Sequence, residues 1–211
     1  MRFPHPPDQP QNTEYLVVNP KLTRRRFIKS VIFSSAAAAS GAGFYLSAQS
    51  ASGSVTERLL TLTINGVERR VDVAPNETLA FTLRNKLGLT GTKVACNRGE
   101  CGACTVLLDD VANYACSVLT HTVKRHAIVT VEGLRAADGT LGVVQQAFVE
   151  ELAPQCGFCT PGQVMSAEAL LRSNSNPTRE QARQALAGNI CRCGAYDHYL
   201  NGVMRAAEML T

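Results

Sequence analysis

Three observations make this chain an α+β protein built in two parts. Strand-like alternation of apolar and polar residues runs from Leu59 to about Val131, and after Gly133 the pattern becomes helical. All eight cysteines lie beyond residue 95 and divide into two sets, one in each part. A leader of different composition, residues 1–53, precedes both.

The leader is Pro-rich and polar up to Thr23-Arg24-Arg25-Arg26-Phe27-Ile28-Lys29. A weakly apolar run, Val31 to about Ser47, rich in Ala, Ser and Gly, follows, and small residues continue to Gly53. A charged start, a modest apolar stretch and a small-residue exit describe a signal peptide. The twin arginines with Phe27 and Lys29 resemble a twin-arginine (Tat) export signal. A membrane anchor is the competing reading, but the run is short and wet for a span of about 20 residues. The expectation is folded export to the periplasm, cleavage within residues 48–54, and no permanent membrane span in the mature chain.

Charge follows the same division. The first 50 residues hold six of the 21 Lys and Arg against two of the 17 Asp and Glu, so the rest is balanced, 15 against 15. The basic balance therefore belongs to the leader, and no nucleic-acid face is indicated.

In the first part, Leu60-Thr61-Leu62-Thr63-Ile64 alternates, Asn65-Gly66 is a two-residue hairpin signal, and Val71 and Val73 continue the partner strand. Glu77 to Leu87 reads as a helix, with Leu79, Leu83 and Leu87 four apart and Gly88 to end it. Strands are expected at Thr105–Leu108, Tyr114–Cys116 and Ala127–Val131. Strand, hairpin, helix, loop and strands in this order predict a β-grasp domain.

The second part predicts four helices, at 141–152, 161–173, 178–187 and 195–210. Thr160-Pro161 is a helix start with Pro in the first turn. Thr178 with Gln181 is a capping box. Gly188-Asn189 closes the third helix just before Cys191. Cys159 and Cys193 are thereby placed at helix starts, where the positive end of the helix dipole favours an anionic thiolate centre.

The cysteines carry the chemistry. Cys96, Cys101 and Cys104 stand at C-x4-C-x2-C spacing with Gly99 and Gly102 between them, and Cys116 follows. This is the plant-type ferredoxin spacing for a 2Fe–2S cluster. The glycines supply unusual backbone angles and leave room for the inorganic core. Cys156-x2-Cys159 and Cys191-x-Cys193 make the second quartet. Zinc and disulfides are the alternatives. Four-cysteine zinc sites usually combine two C-x2-C knuckles, which neither set contains, and the close spacings favour one shared metal centre over disulfide pairing. A Rieske centre needs two histidine ligands, and His5, His121, His126 and His198 are scattered; they read as surface or packing residues, and Asp109-Asp110 as a solvated turn. No nucleophile or acid–base arrangement and no phosphate loop is recognisable, so the chemistry is that of an electron carrier with two one-electron centres. The expected divisions are a Tat signal peptide at 1–53, a plant-type ferredoxin-like domain at 54–134 and a helical 2Fe–2S domain at 135–211.

Three segments occur in order: Cys96-x2-Gly99-x-Cys101-Gly102-x-Cys104-Thr105-Val106, Gln155-Cys156-Gly157-Phe158-Cys159-Thr160-Pro161-Gly162 and Gly188-Asn189-Ile190-Cys191-Arg192-Cys193-Gly194. Together they resemble the iron–sulfur subunit of the xanthine dehydrogenase/aldehyde oxidoreductase family of molybdenum hydroxylases. The resemblance runs from about residue 58 to the C-terminus. One departure is Gly194-Ala195-Tyr196, where the family usually has Thr-Gly-Tyr.

The resemblance implies two 2Fe–2S clusters on this chain, held by Cys96, Cys101, Cys104 and Cys116 and by Cys156, Cys159, Cys191 and Cys193. It implies a large partner subunit carrying a molybdenum–molybdopterin cofactor, contacted by Gln155 and Cys193, and a medium subunit carrying FAD. Electrons would pass from molybdenum through the helical-domain cluster and the ferredoxin-domain cluster to FAD. With the leader, this points to a periplasmic aldehyde oxidoreductase, an αβγ heterotrimer converting aldehydes to carboxylic acids. A free-standing two-cluster ferredoxin, and a purine or N-heterocycle hydroxylase, are the alternatives. No residue of this chain is expected to transform substrate.

Overall fold

A computed structural model describes residues 58–211; the leader and its export signal lie outside the described residues. The chain begins with a hairpin, β1 (Arg58–Ile64) and β2 (Val67–Val73), paired antiparallel from Ile64↔Val67 to Arg58↔Val73. Asn65 and Gly66 both take positive φ, 52° and 75°, as a two-residue turn matching strand twist requires.

Thr78 then caps a short helix, α1 (Leu79–Phe81), by accepting from the Phe81 N–H at 3.4 Å. The expected regular helix to Leu87 is not formed. The chain widens into a π-helical turn, Thr82–Lys86, closed by the Leu87 N–H donating to Thr82 O at 3.1 Å. Leu79 and Leu83 remain fully buried, so the leucine spacing identified the inward face although the turn is not α.

β3 (Thr105–Leu108) and β4 (Val111–Tyr114) form a second hairpin, and β5 (Ala127–Val129) runs parallel to β1 and antiparallel to β3. The mixed sheet has the order β2-β1-β5-β3-β4. The strand expected at 114–116 lies earlier. Asp109 and Asp110, both at positive φ, reverse the chain in two residues, and Ala115 and Cys116 leave the strand for the core. Ala115 O accepts there from the Ala80 N–H at 2.9 Å. β5 is also shorter than expected, because Val131–Leu134 forms a 3₁₀ turn.

The helices that follow are α2 (Val143–Glu150), α3 (Thr160–Ser173), α4 (Arg179–Leu186) and α5 (Tyr196–Leu210). The capping box of α4 is present: Thr178 Oγ1 accepts from Gln181 N at 3.2 Å and Thr178 N donates to Gln181 Oε1 at 2.8 Å. α3 starts one residue before the expected position, with Cys159 as its cap, because the Thr160 hydroxyl pairs with Tyr199 OH at 2.7 Å instead of capping. Among the described residues, no helix is long and apolar enough to cross a membrane.

Two apolar cores result. Leu62, Ile64, Leu79, Leu83, Val106 and Ile128 fill one between sheet and α1, and Phe148, Val164, Leu171, Tyr199 and Val203 fill the other among the helices. Burying each such side chain contributes about 1.5–3 kcal/mol, which offsets the entropy of ordering it. The described residues nonetheless form one compact unit, in which α3 packs on β3 and β4.

Candidate metal centres

Neither cysteine set contains a disulfide; all eight thiols are free. The first set rides on a loop that the sheet holds at one end. Cys104 immediately precedes β3, Cys116 follows β4, and both are buried in the sheet core. Cys96 and Cys101 lie further out in the loop and are half-buried. The thiols meet two by two, Cys96 with Cys101 and Cys104 with Cys116.

The helical set repeats the arrangement. Cys159 at the start of α3 and Cys191 before α5 are buried and meet each other, while Cys156 and Cys193 meet on the surface. Each set thus has an inner and an outer pair. Gln155 is exposed beside Cys156.

Backbone N–H groups converge on the sulfurs. Glu100 N donates to Cys96 Sγ at 3.4 Å and Gly99 N to Cys116 Sγ at 3.3 Å. The N–H groups of Arg98 and Glu100 pull the Cys96 thiol down to about 6, where it ionises readily. Burial pushes the Cys104 thiol up to about 12 and that of Cys159 up to about 11. Burial opposes ionisation of Cys191, but the Ala195 N–H, the Cys159 thiol and the N–H groups of Cys193 and Gly194 outweigh it and lower its value. The thiols of Cys104 and Cys159, held up by burial, ionise when a metal supplies the compensating charge.

The donor set fits a two-iron cluster. Four cysteine thiolates serve two irons, two to each, which is the pairing seen in both sets. Among the described residues, no group of three or more His, Cys, Asp or Glu side chains gathers round one point. Cys96, Cys101, Cys104 and Cys116 would hold one cluster and Cys156, Cys159, Cys191 and Cys193 the other.

The glycines differ in part from the sequence reading. Gly99 and Gly102 do take positive φ, 78° and 68°. The missing side chain of Gly102, however, makes room for the helical part of the chain. A Cβ there would lie 2.5 Å from Gly188 O and 2.6 Å from Asn189 Nδ2. Gly162 is equally confined, its Cβ position 2.2 Å from Gly102 O.

This seam between the sites was missed by sequence reasoning. Asn189, taken for a helix closer, is buried and donates from Nδ2 to Gly102 O at 2.9 Å. Tyr114 OH donates to Gly188 O at 2.9 Å, and Ile190 N donates to Cys101 O at 2.9 Å. The one available signal was the run of small residues Gly188-Asn189 beside Cys191. Among the described residues His126 stays outside the sites: its Nδ1 pairs with Asp109 Oδ2 at 2.5 Å, and Asp110 pairs with Arg172, so the Asp109-Asp110 turn is tethered as well as solvated.

The model of a 2Fe-2S iron-sulfur cluster binding domain matches residues 62–126, and that of a 2Fe-2S binding domain matches residues 130–204. The nicotine 6-hydroxylase small subunit of Paenarthrobacter nicotinovorans is 45% identical over 147 residues, 70% of this chain and 88% of that one. This chain belongs to the iron–sulfur subunits of the molybdenum hydroxylases. As such a subunit it binds two 2Fe–2S clusters and transfers electrons within a molybdenum-dependent oxidoreductase. Quinoline 2-oxidoreductase from Pseudomonas putida 86 has a chain of similar fold, with a TM-score of 0.69 and 37% identity over 72% of this chain and 95% of that one. Aldehyde oxidoreductase from Desulfovibrio desulfuricans ATCC 27774 gives a TM-score of 0.69 and 44% identity, over 72% of this chain and 17% of that one.

Proposed function

We propose that this iron–sulfur subunit works between two partners, a large molybdenum-cofactor subunit and an FAD-binding medium subunit, in an αβγ heterotrimer. The observation that carries the reading is the inner-and-outer pairing of both cysteine sets. Each 2Fe–2S cluster, when bound, takes up and releases one electron at a time. The chain's own residues hold and orient it. Cys104 with Cys116, and Cys159 with Cys191, anchor each cluster in a dry core. The exposed Cys156 and Cys193, beside the exposed Gln155, face the molybdopterin. The half-buried Cys96 and Cys101 face the flavin.

The finer architecture of this reading is a β-grasp ferredoxin-like domain over 54–134 and a four-helix domain over 135–211. The leader, 1–53, exports the loaded chain to the periplasm by the Tat route. Clusters assemble on reduced thiolates, and folded export lets them form before the chain reaches an oxidising compartment.

The substrate is a carbon polarised by a double bond to a heteroatom, either an aldehyde or an N-heteroaromatic ring. The resemblance and the expected export argue for an aldehyde, oxidised to its carboxylic acid. The length match with the nicotine 6-hydroxylase small subunit favours an N-heterocycle, since the aldehyde oxidoreductase chain is about four times as long as this one.

Purification of the tagged chain from its host tests the reading. It should arrive with two larger subunits, molybdenum and FAD, and about four irons per chain without zinc. The purified complex should oxidise one of the two substrate classes. Isolation as a lone, fully loaded monomer would leave a free-standing ferredoxin, and stoichiometric zinc would remove one of the clusters. For export, Arg24→Lys with Arg25→Lys should leave the chain in the cytoplasm; unchanged export would refute the Tat route.

A further inference from the structure

We propose that Asn189 is the positioning residue that sets the spacing between the two cysteine sites, an inference resting on the two-cluster reading above. Its side chain is 2% exposed, and its amide spans the seam. Nδ2 donates to Gly102 O at 2.9 Å and to Thr105 Oγ1 at 3.3 Å, while Oδ1 accepts from Ser166 Oγ at 2.7 Å. Gln163 Nε2 donates to the Asn189 backbone carbonyl at 3.0 Å. Gly102 and Thr105 flank Cys104 of the first site, Asn189 stands two residues before Cys191 of the second, and Gln163 and Ser166 lie on α3, which Cys159 caps.

The amide's orientation is determined. Gly102 O is a carbonyl and only accepts, so Nδ2 must face it and Oδ1 must face Ser166. Thr105 Oγ1 donates to the same carbonyl at 2.6 Å, which leaves its lone pairs to accept from Asn189. Every partner is buried or backbone, so none can turn to water if the amide is lost.

No neighbouring group can replace it. A would-be Cβ on Gly102 or Gly162 meets a backbone carbonyl within 2.5 Å, so the two parts are in contact at the backbone there, and one on Gly188 meets the Tyr114 hydroxyl at 2.0 Å. The Ile190 N–H beside Asn189 also donates to Cys101 O at 2.9 Å. Movement of Asn189 would therefore shift ligand-bearing segments of both sites together. An aspartate there would set a carboxylate oxygen against Gly102 O, acceptor against acceptor, and push the seam apart.

The test is electron paramagnetic resonance of the dithionite-reduced, cluster-loaded complex. Two reduced clusters split each other's signals with a strength that falls as the cube of their separation. Asn189→Asp should retain wild-type iron content and lose splitting, whereas Tyr114→Phe, which removes only the neighbouring bond to Gly188 O, should keep it. Ser166→Ala removes the partner of Oδ1 alone and should reduce the splitting at full iron content. This variant decides the matter if Asn189→Asp does not load iron. Unchanged splitting in a loaded Asn189→Asp, or in Ser166→Ala where the former does not load, would overturn the assignment. Equal loss in Tyr114→Phe would overturn it too, since any seam bond would then serve. A wild-type chain lacking two clusters would instead defeat the functional reading beneath it.

Discussion

Tyr199 places its hydroxyl 3.5 Å from Cys159 Sγ and 2.7 Å from Thr160 Oγ1, at the point where α3 begins. The ring is 1% exposed and lies 5.5 Å from that of Phe148 at 55°. Burial raises the phenol's pKa, as do its neighbours Cys159 and Cys191, so it stays protonated at any working pH. Tyr199→Phe keeps the packing and removes the hydroxyl, leaving Thr160 without its partner. The expected cost is about 1–2 kcal/mol, read by denaturation. A hydrogen bond to a cluster sulfur stabilises the reduced, more negative state. The midpoint potential of the helical-part site should therefore fall while that of the first site stays constant. Equal shifts at both sites would show that the hydroxyl acts through global stability alone.

Gly188 and Tyr114 give a test of the seam by rescue. A Cβ on Gly188 would lie 2.0 Å from the Tyr114 hydroxyl but 3.3 Å from the ring carbon that bears it. Gly188→Ala should destabilise by about 1–3 kcal/mol. Adding Tyr114→Phe removes the obstructing oxygen, so the double variant should be more stable than Gly188→Ala alone. Gly162→Ala meets the Gly102 carbonyl at 2.2 Å, a backbone atom, and should gain nothing from Tyr114→Phe. A double variant no more stable than the single one would show that the seam yields elsewhere.

The contrast with what could be read from the sequence is physical. Cys96, Cys101, Cys104 and Cys156, Cys159 advertise themselves because a rare residue repeats at short spacing. The Asn65-Gly66 turn and the Thr178–Gln181 cap were legible because those residues serve a local geometry. Asn189, Tyr114 and Ser166 were not, since each is ordinary in type and acquires its role from a partner 23 to 87 residues away. The π-helical turn at Thr82–Lys86 was hidden for a related reason. Leucines four apart fit both an α-helix and a widened turn, and the choice between them lies in tertiary packing.

Glu77 makes stability depend on acid. Its carboxylate is 8% exposed, accepts from Thr82 Oγ1 at 2.5 Å and meets Lys86 Nζ at 2.8 Å. Burial alone would raise its pKa, but the bonds from Lys86, Thr82 and the Ala74 N–H outweigh it and hold the value below the ordinary one. A carboxylate held low in the folded state stabilises above the unfolded value of about 4.3, and that contribution disappears as pH falls through the folded pKa. Glu77→Gln should cost about 1–3 kcal/mol at neutral pH. It should also flatten the loss of stability below pH about 5. Identical acid profiles for the two proteins would remove Glu77 from this account.

Leu152 stands at φ 49° just beyond α2, in a position that favours glycine, and is 77% exposed. A leucine in the left-handed region costs about 1 kcal/mol relative to glycine, and this side chain recovers little by burial within the subunit. Leu152→Gly should therefore stabilise the separated subunit by up to about 1 kcal/mol in denaturant. The residue lies close in sequence to Gln155, Cys156 and the half-exposed Phe158, on the side proposed to meet the molybdenum-cofactor subunit. The same substitution should weaken association with that subunit, measured by dissociation of the purified complex. A stabilised chain that still binds with wild-type affinity would put the interface elsewhere, and a destabilised chain would show that Leu152 packs within its own subunit.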